Sequence, residues 1–453
     1  MIKKFFYILL FSISFLGLFL RLLDYDKIPP FGETKDEFIY PWAGISLLQT
    51  GVPATWSDFT SYTQYQQVTF WGENFRIISP WLDKPPLYAL ITGSAAILAG
   101  QNNFGEVRLS TIRLVPIFLS FLSIILVGLL ALIIFNPAVA VIASLIYATI
   151  PTIVMGNRLS LTENLLTPIS LLAVWLFLLK KEEKWQKIKF YLLGLLCGLA
   201  VITKQTGVAL PVTILIFLAI EKQWRSAVIV LLISIVFGLM SPFMGFYYDW
   251  RLYLNVMKEL HWAHGLGFPE TISTLVRFPG IGHKERIFLD GSILTGFILL
   301  FSAPFWLKIH NDHKKSLLIL TFPFTYLTIM TLIDGGQTWY GWYLFPLFPF
   351  ISILIAKAFY DLWQKPDLLK SLFFYLILGS STVRFFLLLT PQLTKTWQWI
   401  LGLLLLILIG GFILKNRYQR IILVIFLAIF LIVNILVVIN LNQIYPGYPQ
   451  PLQ

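Results

Sequence analysis

Residues 114–135 read LVPIFLSFLSIILVGLLALIIF, 22 positions without a charged side chain. Crossing the hydrocarbon core of a bilayer takes about 20 mostly apolar residues in a helix, so this stretch alone is long enough to span a membrane. Outward from it in both directions similar stretches recur, centred near residues 14, 120, 145, 172, 198, 214, 236, 300, 324, 349, 379, 406 and 430. Composition agrees: 57% of the 453 residues are apolar and 12% are charged, where a soluble domain carries about 25% charged residues. The sequence therefore predicts an all-α polytopic membrane protein, a bundle of about 13 transmembrane helices. The first stretch follows Met1-Ile-Lys-Lys and reaches Leu20 without a small-x-small cleavage site, which reads as a retained anchor.

Short basic loops mark the cytoplasmic side of such a bundle. Segments 1–4, 180–189, 221–225, 308–315, 357–370 and 415–420 hold 18 of the 34 Lys and Arg residues and alternate with the spans. The amino terminus is then cytoplasmic, and the two long polar regions, 24–107 and 247–290, lie outside. Most of the acidic residues, 16 of 22, fall on that outer side or at its edge. The net charge of +12 is scattered through loop clusters rather than gathered on one module, so no nucleic-acid partner is expected. Cys197 is the only cysteine and sits inside an apolar span, which excludes an intramolecular disulfide.

Ionisable residues that border or interrupt apolar spans are site candidates, because hydrocarbon penalises them. Asp36 and Glu37 lie in the first outer loop, Arg158 and Glu163 in a short outer loop at 156–164, and Lys204 late in a span approaching the same face. All map to one side of the membrane, as a single outward-facing pocket requires. Asp36 and Glu37 are adjacent near the start of an expected amphipathic helix, so they point to different faces and take different roles. Read as charge alone, such a pair is a helix-start feature.

Several motifs together resemble the GT-C superfamily of membrane glycosyltransferases, in particular the protein O-mannosyltransferases and lipid A aminoarabinose transferases. They are Asp36-Glu37 with Tyr40, Ala43 and Gly51; Trp81-Leu-Asp-Lys-Pro-Pro-Leu-Tyr88; Arg108 and Arg113-Leu-Val-Pro116; Pro151 with Arg158-Leu-Ser-Leu-Thr-Glu163; Gly198-Leu-Ala-Val-Ile-Thr-Lys204; and Trp342-Tyr-Leu-Phe-Pro-Leu-Phe-Pro349. The resemblance covers most of residues 1–360, a GT-C-like catalytic region, and leaves 361–453 as further transmembrane helices of unassigned role. Two departures stand out: the second acidic position is Glu163 rather than Asp, and Trp342 replaces a basic residue frequent before the Tyr-x-x-Pro-x-x-Pro stretch.

The resemblance implies a polyprenyl-phosphate sugar donor, inversion at the anomeric carbon, and an acceptor that is a lipid, a glycan or a protein. It also implies residence in a membrane, expected here to be the plasma membrane of a prokaryote, with the site on the outer face. Inverting transfer needs a base on the acceptor hydroxyl and positive charge where the phosphate leaves. Asp36 is the candidate base by its position in the motif. Glu37, Lys84, Arg158, Glu163, Lys204 and Tyr343 are the candidate substrate-binding residues, with Lys84, Arg158 and Lys204 assigned to the lipid phosphate. Three alternatives stay open: Lys204 as an interfacial snorkelling lysine, Glu163 as a mere partner of Arg158, and Tyr343 as part of an aromatic belt. Arg384 receives no role. His261 and His264 have a spacing that one metal could use, but no third ligand stands at a recognisable interval. No cofactor or metal is expected, and a divalent cation is not excluded. A polytopic lipid or sugar transporter is the competing function; it commonly carries internal repeats and a mid-depth site, which this sequence lacks. A catalytically silent lipid-sugar binder is the third.

Overall fold

In the computed structural model, which describes residues 2–31, 34–179, 183–264, 291–307, 313–333, 341–388, 390, 392, 396–413 and 416–444, each of the thirteen apolar stretches is helical at its centre. Helix α1 (Ile2–Leu22) is followed by α2 (Ile39–Thr50), three strands, β1 (Thr55–Trp56), β2 (Gln66–Phe70) and β3 (Glu73–Ile78), and α3 (Leu87–Leu98). The bundle resumes with α4 (Leu109–Ile112), α5 (Leu114–Ile134), α6 (Pro137–Thr149), α7 (Pro151–Gly156), α8 (Glu163–Leu178), α9 (Glu183–Thr203), α10 (Ala209–Ile220), α11 (Trp224–Gly238), α12 (Met240–Tyr248) and α13 (Trp250–His264). It continues through α14 (Gly291–Trp306), α15 (His313–Ile333), α16 (Phe348–Gln364), α17 (Leu368–Leu388), α18 (Trp397–Phe412), α19 (Asn416–Ile439) and α20 (Leu441–Ile444).

Among the described residues, five helical segments are by themselves long and apolar enough to cross a membrane: Phe5–Leu22, Leu109–Ile134, Trp224–Tyr248, Gly341–Gln364 and Arg417–Ile439. The other apolar helices run 10–17 residues, about 15–26 Å at 1.5 Å per residue, so helix length does not itself fix the expected count of thirteen crossings. Burial separates the centre from the rim. Gly341–Gln364 is 89% buried over its apolar window, whereas Trp224–Tyr248 is 11% buried. An apolar helix with so little protein around it must face lipid, whereas α16 is enclosed, packing chiefly on α6 and α14.

Sharp starts and breaks come from local chemistry. Asn136 opens α6 by accepting a hydrogen bond from the Val139 N–H, with Pro137 at the first helical position. Three fully buried arginines close the end of α1 and the chain after it. Arg21 donates to the Gly17, Tyr147 and Ala148 carbonyls and to Asn157 Oδ1, and Arg158 donates to the Leu20 and Ile28 carbonyls at 2.8 and 3.0 Å. Arg113 donates to the Tyr25 and Pro29 carbonyls. Helix-end carbonyls have no partner in their own helix, and in an apolar bundle these guanidinium groups supply one.

Residues 34–107 fold as a cap over the end of the bundle where α1 finishes and α5 begins, called the loop end below. The sheet was not anticipated from the sequence. Its order is β1-β3-β2, both pairs antiparallel, with Val68 opposite Phe75 and Thr55 opposite Ile78. Phe75 from β3 meets the buried Trp42 of α2 at 5.1 Å between ring centroids, and Phe104 stacks on Trp42 at 5.2 Å. Helices α2 and α3 cross with backbones in contact at Gly44 and Gly93, since a Cβ at Gly44 would lie 1.9 Å from the Ala89 carbonyl oxygen. Any side chain there would force the helices apart. The expected region 247–290 is described as far as α12 and α13; residues 265–290, the side chains of His261 and His264, and the Arg384 side chain lie outside the described set.

Candidate active site

Asp36 and Glu37 occupy a short 3-10 turn, Lys35–Phe38, whose first N–H groups are served by Thr34: its hydroxyl accepts from the Asp36 N–H at 3.1 Å. The turn is fastened to the sheet on its other side. The Trp56 indole N–H donates to the Lys35 carbonyl, and Lys35 pairs with Glu73 at 2.7 Å.

The adjacent carboxylates have separate fates. Glu37 is fully buried and accepts from Arg113 Nε and Nη2 at 2.9 and 2.6 Å and from the Ser160 N–H at 2.9 Å. A bidentate guanidinium plus a backbone donor fills its lone pairs and joins the cap to the start of α5 and to the 156–164 loop. Asp36 is half-buried beside this clamp. Together with Glu163 it lies near enough to Lys84 to act on it electrostatically.

Lys84 immediately precedes Pro85-Pro86, which lead into α3, and donates to the Tyr40 hydroxyl at 3.1 Å. Burial by itself would lower its pKa, but the Tyr40 hydroxyl, Asp36 and Glu163 more than offset this and hold the ammonium above the ordinary lysine value. Burial pushes Tyr40 up to about 12, so the pair is an ammonium and a neutral phenol. The other cation, Lys204, sits between α9 and the short 3-10 turn Gln205–Val208. It is buried, pairs with Glu163 Oε1 at 2.6 Å, and lies 3.8 Å from the centroid of the Tyr343 ring. Tyr343 is held in turn by the Tyr326 hydroxyl, which donates to its carbonyl at 3.0 Å.

The structure thus brings Asp36, Lys84, Glu163, Lys204 and Tyr343 together at the loop end, around Tyr40. Lys204 points inward rather than to an interface, and Glu163 pairs with Lys204 rather than with Arg158. Arg158 is fully buried and donates to the Leu20 and Ile28 carbonyls, and Glu37 is engaged by Arg113. Among the described residues no three His, Cys, Asp or Glu side chains stand together as a metal set.

The side chains that hold these residues in place were not singled out from the sequence. Asp83, next to Lys84, is buried and accepts from the Ser57 hydroxyl at 3.0 Å and from the Tyr62 hydroxyl, while Tyr62 also accepts from the Leu82 N–H. Burial pushes the Asp83 carboxyl up to about 6 against the opposing hydrogen bonds from Tyr62 and Ser57. The Asp83 carbonyl accepts from the Gln205 side chain at 2.8 Å. That bond ties the backbone beside Lys84 to the backbone beside Lys204. From α13, the Glu259 carboxylate accepts from Thr60 and Ser61 at 2.7–2.9 Å; burial resists its ionisation, but these donors hold it below the usual glutamate value. Arg113 and Asp83 stand within motifs that carry the resemblance, though neither was assigned a role, and Gln205 carried no signal.

Residues 83–246 match the family model of dolichyl-phosphate-mannose-protein mannosyltransferases. The fold is similar to that of ArnT from Cupriavidus metallidurans bound to undecaprenyl phosphate, with a TM-score of 0.58 and 12% identity over 97% of this chain and 77% of that one. It is also similar to the archaeal oligosaccharyltransferase AglB from Archaeoglobus fulgidus in complex with an inhibitory peptide and a dolichol-phosphate, with a TM-score of 0.50 and 15% identity over 83% of this chain and 54% of that one. No curated protein matches the chain by sequence. The likeness in structure is one of fold, and the family model adds the motif-bearing region from Asp83 onward. The chain is thus similar in fold to the membrane proteins ArnT and AglB and, over residues 83–246, matches the mannosyltransferase family model.

Proposed function

We propose that this protein transfers a sugar from a polyprenyl-phosphate donor to an acceptor hydroxyl at the outer face of the membrane, with inversion at the anomeric carbon. The observation that carries the reading is the meeting of two ammonium groups, Lys84 and Lys204, with the half-buried Asp36 at one end of an apolar bundle. A lipid donor enters such a site from the side, with its chain in hydrocarbon and its phosphate at the lysines. The lipids bound in similar folds, undecaprenyl phosphate with ArnT and dolichol-phosphate with AglB, are polyprenyl phosphates, the group such a donor would release.

In the proposed step Asp36 takes the proton from the acceptor hydroxyl as its oxygen attacks the anomeric carbon. The bond from that carbon to the phosphate oxygen breaks, and polyprenyl phosphate leaves with the electron pair. Lys84 and Lys204 stabilise the charge that grows on the leaving phosphate, the kind of preorganised electrostatic contribution that dominates many active sites. Lys84 is the readier of the two, since its hydrogen bond goes to a neutral phenol that an anion can displace. Glu163 keeps Lys204 oriented, and Tyr343 lies against the same side-chain nitrogen. Arg158 and Glu37 take structural roles in this mechanism. With the loop end outside, the amino terminus and the basic segments are cytoplasmic, and residues 1–360 form the catalytic region.

Donor binding tests the reading. Purified protein titrated with a series of polyprenyl-phosphate sugars should show a thermal shift with at least one, and Lys84→Met should lose it. A wild-type shift in that variant would remove the phosphate site proposed here.

A further inference from the structure

A second feature, away from the active site, lies at the opposite end of α16. Tyr343 precedes the first turn of this helix, and its 17 residues carry the chain about 25 Å along the bundle at 1.5 Å per residue. There α14, α16, α17 and the end of α5 leave a groove of about 980 Å³. Its walls are apolar: Ile298 and Leu299 from α14 face Phe373 and Ile377 from α17. Its mouth is basic. Lys357, Lys365 and Lys370 all line it, against one carboxylate, Asp361.

Pairing within the mouth leaves positive charge over. Lys357 is matched by Asp361, one turn away on α16. Lys365 and Lys370 are exposed and make no ion pair among the described residues. Asp367, the other nearby acid, turns to the backbone and accepts from the Lys370 N–H at 2.8 Å. Arg420 adds a further cation, donating to the Gln364 carbonyl at 2.9 Å. Neutral donors stand beside them: the Gln364 amide donates to the Tyr360 hydroxyl at 2.9 Å, and both residues line the groove. An apolar cleft between helices, opening at a cluster of cations, matches an ion that carries its own hydrocarbon.

We propose that this groove is a binding site for an anionic glycerophospholipid, with the phosphate at Lys365 and Lys370 and the acyl chains along Ile298, Leu299, Phe373 and Ile377. Basic pockets between transmembrane helices hold anionic headgroups in this manner, at about 1 kcal/mol per lysine. The site is separate from the active site and independent of the transfer reaction. Its occupant braces α17 against α14 and α16, the junction between the catalytic region and the helices after residue 360.

Native mass spectrometry of the full chain, extracted into detergent and offered an equal mixture of dioleoyl phosphatidylglycerol and dioleoyl phosphatidylcholine, tests it. Wild type should retain phosphatidylglycerol in preference. The double variant Lys365→Gln, Lys370→Gln should lose about 25-fold of that retention, about fivefold for each lysine; both positions are exposed, so the fold is unaffected. Ile298→Trp, which fills the groove and leaves the lysines, should lower retention as well. Glycerol phosphate without acyl chains should not compete. Equal retention of the two lipids, unchanged retention in the double variant or in Ile298→Trp, or competition by glycerol phosphate would each overturn the proposal.

Discussion

Glu37→Gln should damage folding rather than chemistry. The amide keeps the shape of the carboxylate but removes the charge opposite Arg113, whose guanidinium is 0% exposed and lies 2.6 Å from Glu37 Oε2. Breaking a buried ion pair by removing one partner costs about 3–5 kcal/mol, because the remaining charge is stranded in a poor solvent. The Ser160 N–H at Glu37 Oε1 keeps an acceptor if the amide oxygen takes that position, so no further penalty of about 1–3 kcal/mol for an unmade bond is added. Glu37→Ala incurs both. The order of unfolding midpoints in detergent should therefore be wild type, then Glu37→Gln, then Glu37→Ala. The double variant Glu37→Leu, Arg113→Leu should recover much of the loss, since an apolar pair of similar volume removes the stranded charge. Protein that survives extraction as Glu37→Gln should retain transfer per folded molecule. A Glu37→Gln variant that melts like wild type yet transfers no sugar would refute the structural role and exchange the roles within the carboxylate pair.

Lys204→Ala should weaken donor binding about tenfold to a hundredfold, the range for a lost hydrogen bond to a charged group, and Lys204→Arg should restore part of it; unchanged donor affinity in the alanine variant would confine Lys204 to holding Glu163. Gln205→Ala removes the bond to the Asp83 carbonyl and should raise the KM for donor with little change in stability, whereas an unaltered KM would show that Lys84 and Lys204 are positioned without it. Asp83 gives a pH signature. Its carboxyl is pushed by burial from the ordinary aspartate value of 3.8 up to about 6, so the native state holds the proton more tightly than the unfolded chain, and its contribution to stability is present below pH 3.8 and lost as pH rises through 6. Midpoints measured across that window should fall less in Asp83→Asn than in wild type, and parallel profiles would contradict the assignment.

The helical bundle was legible because long apolar runs have one solution in lipid, the satisfied helix. The sheet was not: strands of 2, 5 and 6 residues such as Gln-Gln-Val-Thr-Phe alternate too briefly to separate from a loop. That Asp36 and Glu37 face different ways followed from adjacency, whereas the base role proposed for Asp36 came from its position in the motif. Their partners did not follow. Arg113 is 76 positions from Glu37 and Lys204 is 41 from Glu163, whereas Arg158, five positions before Glu163, turns instead to the carbonyls of Leu20 and Ile28. Pairing in a bundle is set by which helix ends meet, and sequence distance carries little of that. Of the residues that the structure brings together, Asp36, Glu163 and Lys204 stood out because ionisable groups are rare in such a chain, and Lys84 and Tyr343 came from the resemblance; their connections through Tyr40, Asp83 and Gln205 needed coordinates.

The most direct measurement is single-turnover release of polyprenyl phosphate from a saturating sugar-charged donor, in membranes that contain the acceptor, compared between wild type and Asp36→Asn. The amide preserves shape and cannot accept a proton, and loss of a positioned base typically costs about 10²–10⁴-fold in rate. Wild type should release polyprenyl phosphate as sugar appears on the acceptor, and Asp36→Asn should bind the donor with near-normal affinity while releasing it slower by that factor. Release by Asp36→Asn at the wild-type rate, or no release by wild type with a donor that it binds, would contradict transfer from a lipid phosphate with Asp36 as the base.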